Sequence, residues 1–157
     1  METGIQELQL AGFRLGDNLF AIDIMRIKEI LTPQKLSGFP VQHDALDGMI
    51  NLRGQVIPVL NLRARFGMPP RPTGPGKLII ISVAGRLVAL AVDDLDEVFS
   101  VTAGDLRPPP DMVSDVGAEL LIAVCLWNDQ MYLVLHIDEL FRDGGQQTLQ
   151  RREGAVW

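Results

Sequence analysis

The sequence predicts an all-β protein made of two similar small barrels of about five strands each. Three observations carry this reading. Short β-rich runs fill the chain, hairpin signals join them in pairs, and one order of motifs occurs twice. At 157 residues the chain suits one compact domain or two very small ones.

From the N-terminus, "LQLAGFRL" and "NLFAIDI" are strand-like and meet at Gly16-Asp17-Asn18, a hairpin signal. "MINLR" and "QVIPVLN" meet at Arg53-Gly54. In "QVIPVLN", Val56, Pro58 and Leu60 point one way and Ile57 and Val59 the other, so both faces are apolar and a second packed layer is expected. Pro58 cannot donate to a ladder, which predicts an edge or a bulge there. A short helix is expected over Asn61–Phe66. "MPPRPTGPG", with four prolines, then breaks the chain near its middle.

The second half repeats the pattern. "KLIIISV" and "RLVALAV" meet at Ala84-Gly85, and "LLIAVCLW" and "QMYLVLHI" meet at Asn128-Asp129. A long loop, "RPPPDMVSDVGAE", separates these pairs, and a short helix is expected over Asp138–Phe141. The run "GGQQTLQRREGAVW" reads as a frayed tail over residues 144–157.

The repeat is explicit. "LFAIDIMRIKEI" from Leu19 aligns with "LVALAVDDLDEV" from Leu87, so Ile22, Ile24, Ile27 and Glu29 meet Leu90, Val92, Leu95 and Glu97. "INLRGQVIPVLNLRARF" from Ile50 aligns with "CLWNDQMYLVLHIDELF" from Cys125. The halves are approximately 8–67 and 77–143 within a single domain. Each is too short to bury enough surface alone, so a shared apolar seam is required.

Composition and motifs exclude more than they select. A net charge of −6 argues against nucleic acid, whose phosphates reward a basic footprint. No apolar run reaches the ~18 residues of a membrane span, and the start lacks the basic and apolar regions of a signal peptide. A cytoplasmic protein with no direct membrane insertion is expected. The single Cys125 lies in an apolar run and reads as a buried hydrophobe. His43 and His136 fall in different halves, and His136 reads as a satisfied sheet residue rather than a ligand. "VDDLDE", Asp93–Glu97, reads as a solvated strand end, lacking the spacing of a calcium loop. No phosphate loop, dinucleotide fingerprint or nucleophile elbow occurs. No catalytic residue, metal or cofactor is expected.

Arg53-Gly54 is a hairpin tip on local evidence, with Gly taking φ > 0. That accounts for Gly54 and leaves Arg53 where Asn or Asp is usual. An arginine on a rigid tip can be aimed at a carboxylate or an apolar surface. Its counterpart in the second half is Asn128, so the feature belongs to one barrel.

"LDGMINLRGQVIPVLNLRARFG", "FRLGDNLFAIDIMRIKEIL", "RLVALAVDDLDEVFSV" with "LRPPP", and "NDQMYLVLHIDELF" together resemble, in this order, the chemotaxis coupling protein CheW and the CheW-like domain of CheA kinases. The resemblance covers about residues 8–143. It implies two intertwined SH3-like five-stranded β-barrels with short helical segments, and no catalytic activity. It implies a non-enzymatic adaptor coupling the cytoplasmic tip of methyl-accepting chemoreceptors to the regulatory domain of a CheA-type histidine kinase. By position it implies a receptor groove at Ile24 and Ile27, on the strand after "FAID", with Val98 across the seam. It implies signalling contacts at Arg53 and Gly54, and coupling roles at Glu29 and Gly48. Asn61 departs from the Asp of many relatives.

Two other readings stand beside it. A CheW-like scaffold could serve pilus motility or second-messenger control. A small β-barrel ligand-binding protein or enzyme would draw on the carboxylates Asp93, Asp94, Asp96 and Glu97.

Overall fold

The computed structural model describes residues 7–32, 35–38, 46–71, 76–109 and 119–141. The described chain is mostly strand: β1 (Glu7–Leu15), β2 (Asn18–Asp23), β3 (Ile27–Leu31), β4 (Leu46–Leu52), β5 (Gln55–Asn61), β6 (Lys77–Val83), β7 (Arg86–Val92), β8 (Asp94–Thr102), β9 (Leu106–Arg107), β10 (Leu121–Trp127) and β11 (Gln130–Leu135). Among the described residues, helix is confined to α1 (Leu62–Arg65) and three 3-10 turns, at Ile24–Arg26, Ala103–Asp105 and Ile137–Phe141.

Two SH3-like sheets form, and each takes strands from both halves of the sequence. One runs β8-β1-β2-β11-β10-β9, the other β3-β6-β7-β5-β4. The first has six strands rather than five, because the two-residue β9 pairs with β10. The halves are therefore interlaced: β1 and β2 complete the barrel of β8–β11, and β6 and β7 complete that of β3–β5.

The interlacing obeys an internal two-fold in register. Ile27 pairs with Ile81 and Leu95 with Phe13, each beside a bulge. The parallel ladders match too, Val59 with Ala89 and Val134 with Ala21. Hairpins close on Leu52–Gln55 in one half and Trp127–Gln130 in the other. These are the repeat offsets of the sequence.

The seam is the largest apolar cluster. Phe13, Phe20 and Ile22 from the first half meet Ile79, Ile81 and Leu90 from the second, with Leu60, Leu62, Leu135 and Leu140 around them. Each barrel keeps a small core of its own. That around Tyr132 and Phe99 is aromatic, and that around Ile57 and Ile80 is aliphatic. Cys125 is buried in the former, and burial raises its thiol pKa. Burying apolar side chains across the seam removes the surface that neither half could bury alone.

Pro58 sits in the interior of its sheet rather than at an edge. It faces Met49 three residues beyond the closing pair of the hairpin, at a position whose N–H points away from β4. The ladder with β7 begins only at Val59, so no bond is missing. The short helix starts where expected because the Asn61 side chain accepts from Ala64 N at 3.2 Å. Asn61 also donates to both carboxylate oxygens of Asp47, at 3.2 and 3.1 Å. Aspartate could cap the helix but could not donate to Asp47.

Candidate partner-docking site

Glu29 and Arg53 come together. Arg53 donates to Glu29 Oε1 at 2.5 Å and more weakly to Oε2 at 3.4 Å. Glu29 lies at the bulge of β3, one margin of its sheet, and Arg53 on the β4–β5 hairpin at the other margin. The pair therefore closes the barrel. The Arg53 hydrogen bond holds the Glu29 carboxyl below its ordinary range and raises the guanidinium in return. Arg53 and Gly54 both take φ > 0, 52° and 85°, the geometry of a type I′ turn. Asn51 Oδ1 accepts from Gly54 N at 2.9 Å and fixes that turn.

Gly48 is buried at a bulge of β4, with φ +154. A Cβ there would lie 2.5 Å from the carbonyl oxygen of Ser37. Ser37 and Met49 exchange backbone bonds of 2.9 and 2.7 Å beside it. Gly48 thus lets the Ser37 segment lie against β4.

Ile24 is not on a strand. It opens the 3-10 turn Ile24–Arg26, capped by the Asp23 carboxylate accepting from Met25 N at 2.9 Å. This turn carries the chain from β2 in one sheet to β3 in the other. Ile24 and Ile27 are half-buried, and Ile27 packs on the seam cluster. Val98 is 57% exposed on β8. It pairs with Ala11, which pairs with Ile22, so Val98 stands roughly 10 Å from Ile22 across three strands.

Two apolar residues of this region were not singled out by sequence. Met25 is 78% exposed at the crossover turn, and Ile30 is 44% exposed on β3. The signal for Ile30 existed, because the repeat sets it opposite Val98. On the other barrel, Leu126 and Met131 form an exposed cross-strand pair with Ile122 nearby.

Within "VDDLDE", Asp94 and Glu97 are exposed as expected, whereas Asp93 and Asp96 are largely covered. Arg63 grips Asp93 with two bonds, 2.8 and 2.6 Å, and both side chains are nearly buried at 11% and 14% exposure. Gly16 N also donates to Asp93, at 2.7 Å. These bonds, Arg63 first, hold the Asp93 carboxyl below its ordinary range against the effect of burial. Asp96 accepts from the Tyr132 hydroxyl at 2.5 Å. Burial, reinforced by Asp96, raises the Tyr132 pKa. These carboxylates are structural, and among the described residues no three His, Cys, Asp or Glu cluster as a metal site. His136 follows β11, and its N–H donates to Leu120 O at 2.8 Å. His43 lies outside the described residues.

Residues 9–144 match the CheW-like domain family. The chain belongs to the CheW-like family. It is 30% identical over 95% of its length to the chemotaxis protein CheW of Treponema pallidum, covering 91% of that protein. It is 31% identical over 86% of its length to a probable chemotaxis protein CheW of Rhizobium etli, covering 88%. The scaffolding protein TtCheW from Thermoanaerobacter tengcongensis superposes with a TM-score of 0.81 at 27% identity, over 89% of this chain and 96% of that one. This CheW-like chain is a chemotaxis scaffold, and the family is non-enzymatic. No described helix is long and apolar enough to cross a membrane.

Proposed function

We propose that this chain couples the cytoplasmic tip of chemoreceptors to the regulatory domain of a CheA-type histidine kinase, acting in the cytoplasm at membrane-associated receptor arrays. The observation that carries the reading is the CheW-like match over residues 9–144. The crossover turn supports the placement of one partner. There the chain passes between barrels and leaves Met25 and part of Ile24 and Ile27 uncovered, which suits the apolar stripe of a helical hairpin. Val98 adds an exposed apolar side chain on β8. Arg53 and Gly54, on a turn held by Asn51 and by the bond to Glu29, offer a rigid polar tip for a second contact. Glu29 and Gly48 act indirectly, by holding Arg53 and the Ser37 segment in place.

Calorimetric titration of the chain with a CheA-type regulatory domain, and separately with a receptor-tip fragment, tests this. Saturable binding to both is expected. Met25→Asp should weaken receptor-tip binding about tenfold or more and leave kinase-domain binding intact. Met25 is preferred to Ile27 for this purpose because Ile27 also packs on the seam. Absence of binding to both partners would overturn the proposal.

A further inference from the structure

Among the described residues, three ion pairs that cross between the two halves of the chain share one polarity. Arg63 pairs with Asp93, Arg26 with Asp138 at 2.8 Å, and Arg14 with Asp96 at 3.7 Å. The first half supplies arginine each time and the second half aspartate. Arg26 also donates to Ser82 O of the second half at 3.0 Å.

The internal two-fold gives this polarity a consequence. Arg63 and Asp138 occupy equivalent positions after equivalent strands, and Arg26 is equivalent to Asp94, next to Asp93. Arg14 is equivalent to Ser82, and Asp96 to Lys28. The backbone registers of the two halves are the same, so ladder hydrogen bonds alone do not tell one half from the other. A first half laid against another first half would set Arg63 against Arg26 and Arg14 against Lys28. A second half laid against another would set Asp138 against Asp93 and Asp94. The wider charge agrees: residues 8–67 hold seven Lys and Arg against five Asp and Glu, and residues 77–143 hold four against twelve.

We infer that these ion pairs are a pairing code: residues 8–67 accept residues 77–143, of the same chain or of a second copy, and reject another 8–67. Like charges at matched positions discriminate between partners that are otherwise isosteric. Half-exchange between two copies keeps every contact of the single chain, so only the connecting segment decides between them.

The test uses full chains. One variant carries Arg26→Asp with Arg63→Asp, so both its halves are acidic at the code. A second carries Asp93→Arg with Asp138→Arg, so both are basic. Each alone should melt at least about 5 °C below the parent. The chain carrying all four substitutions should recover at least half of that loss. Refolded together, the two double variants should form a 1:1 dimer by native mass spectrometry, because each then finds opposite charge in the other. Refolded singly, neither should dimerise. No recovery in the four-fold variant, or no mixed dimer, would overturn the code.

Discussion

Arg53 occupies the first position of a turn that favours Asn or Gly, and it uses the rigidity of that turn to reach Glu29. Arg53→Asn should keep the turn and shift the melting temperature by no more than about 2 °C, while weakening the partner that uses this tip about tenfold. Calorimetry beside thermal unfolding separates the two effects. The pH dependence has a definite sign. Glu29 has a lowered pKa in the folded chain, so the pair is fully formed above the ordinary glutamate value near ~4.3 and is lost as pH falls through the folded value. Asp93 behaves likewise relative to ~3.9. Acid unfolding followed by circular dichroism should begin below pH ~4, and Arg63→Gln should move its onset to higher pH.

A polar bond leaves the bulge of each first margin strand: Glu29 reaches Arg53 at the opposite margin of its sheet, and Asp96 reaches Tyr132 on the interior strand β11. Tyr132→Phe removes a hydrogen bond to a carboxylate at a fully buried side chain and should cost about 2 kcal/mol in urea unfolding. The Tyr132 pKa is raised, so its contribution is whole below the ordinary tyrosine value near ~10 and is lost only as pH rises through the higher folded value. Gly48→Ala should destabilise by about 1–3 kcal/mol, since its Cβ meets the Ser37 carbonyl and its φ is unfavourable. Loss of partner binding in that variant should follow the loss of stability. The strands and hairpins were legible because period-two patterns and turn residues are local. The Ile24–Arg26 turn was not, since "IDIMRI" alternates like a strand and only the change of sheet breaks it. The burial of Asp93 and Asp96 was hidden for a related reason: four carboxylates in five positions read as solvated until Arg63 and Tyr132 arrive from distant sequence.

At the scale of the molecule, the repeat in the sequence disclosed two equivalent units but not how they interlace. The interlacing depends on parallel ladders between distant strands, which leave no local mark. The seam was foreseeable from size alone, because neither half can bury its apolar faces unaided. The proposed site is spread over both barrels, with Met25, Ile24 and Ile27 at one crossover, Val98 on one sheet and Arg53 on the margin of the other. An adaptor must hold two partners at once, so its surfaces have to be separate. The most direct measurement is sedimentation velocity on the chain mixed with both a CheA-type regulatory domain and a receptor-tip fragment. The account predicts a single complex containing all three. Displacement of one partner by the other, or sedimentation of the chain by itself, would contradict it.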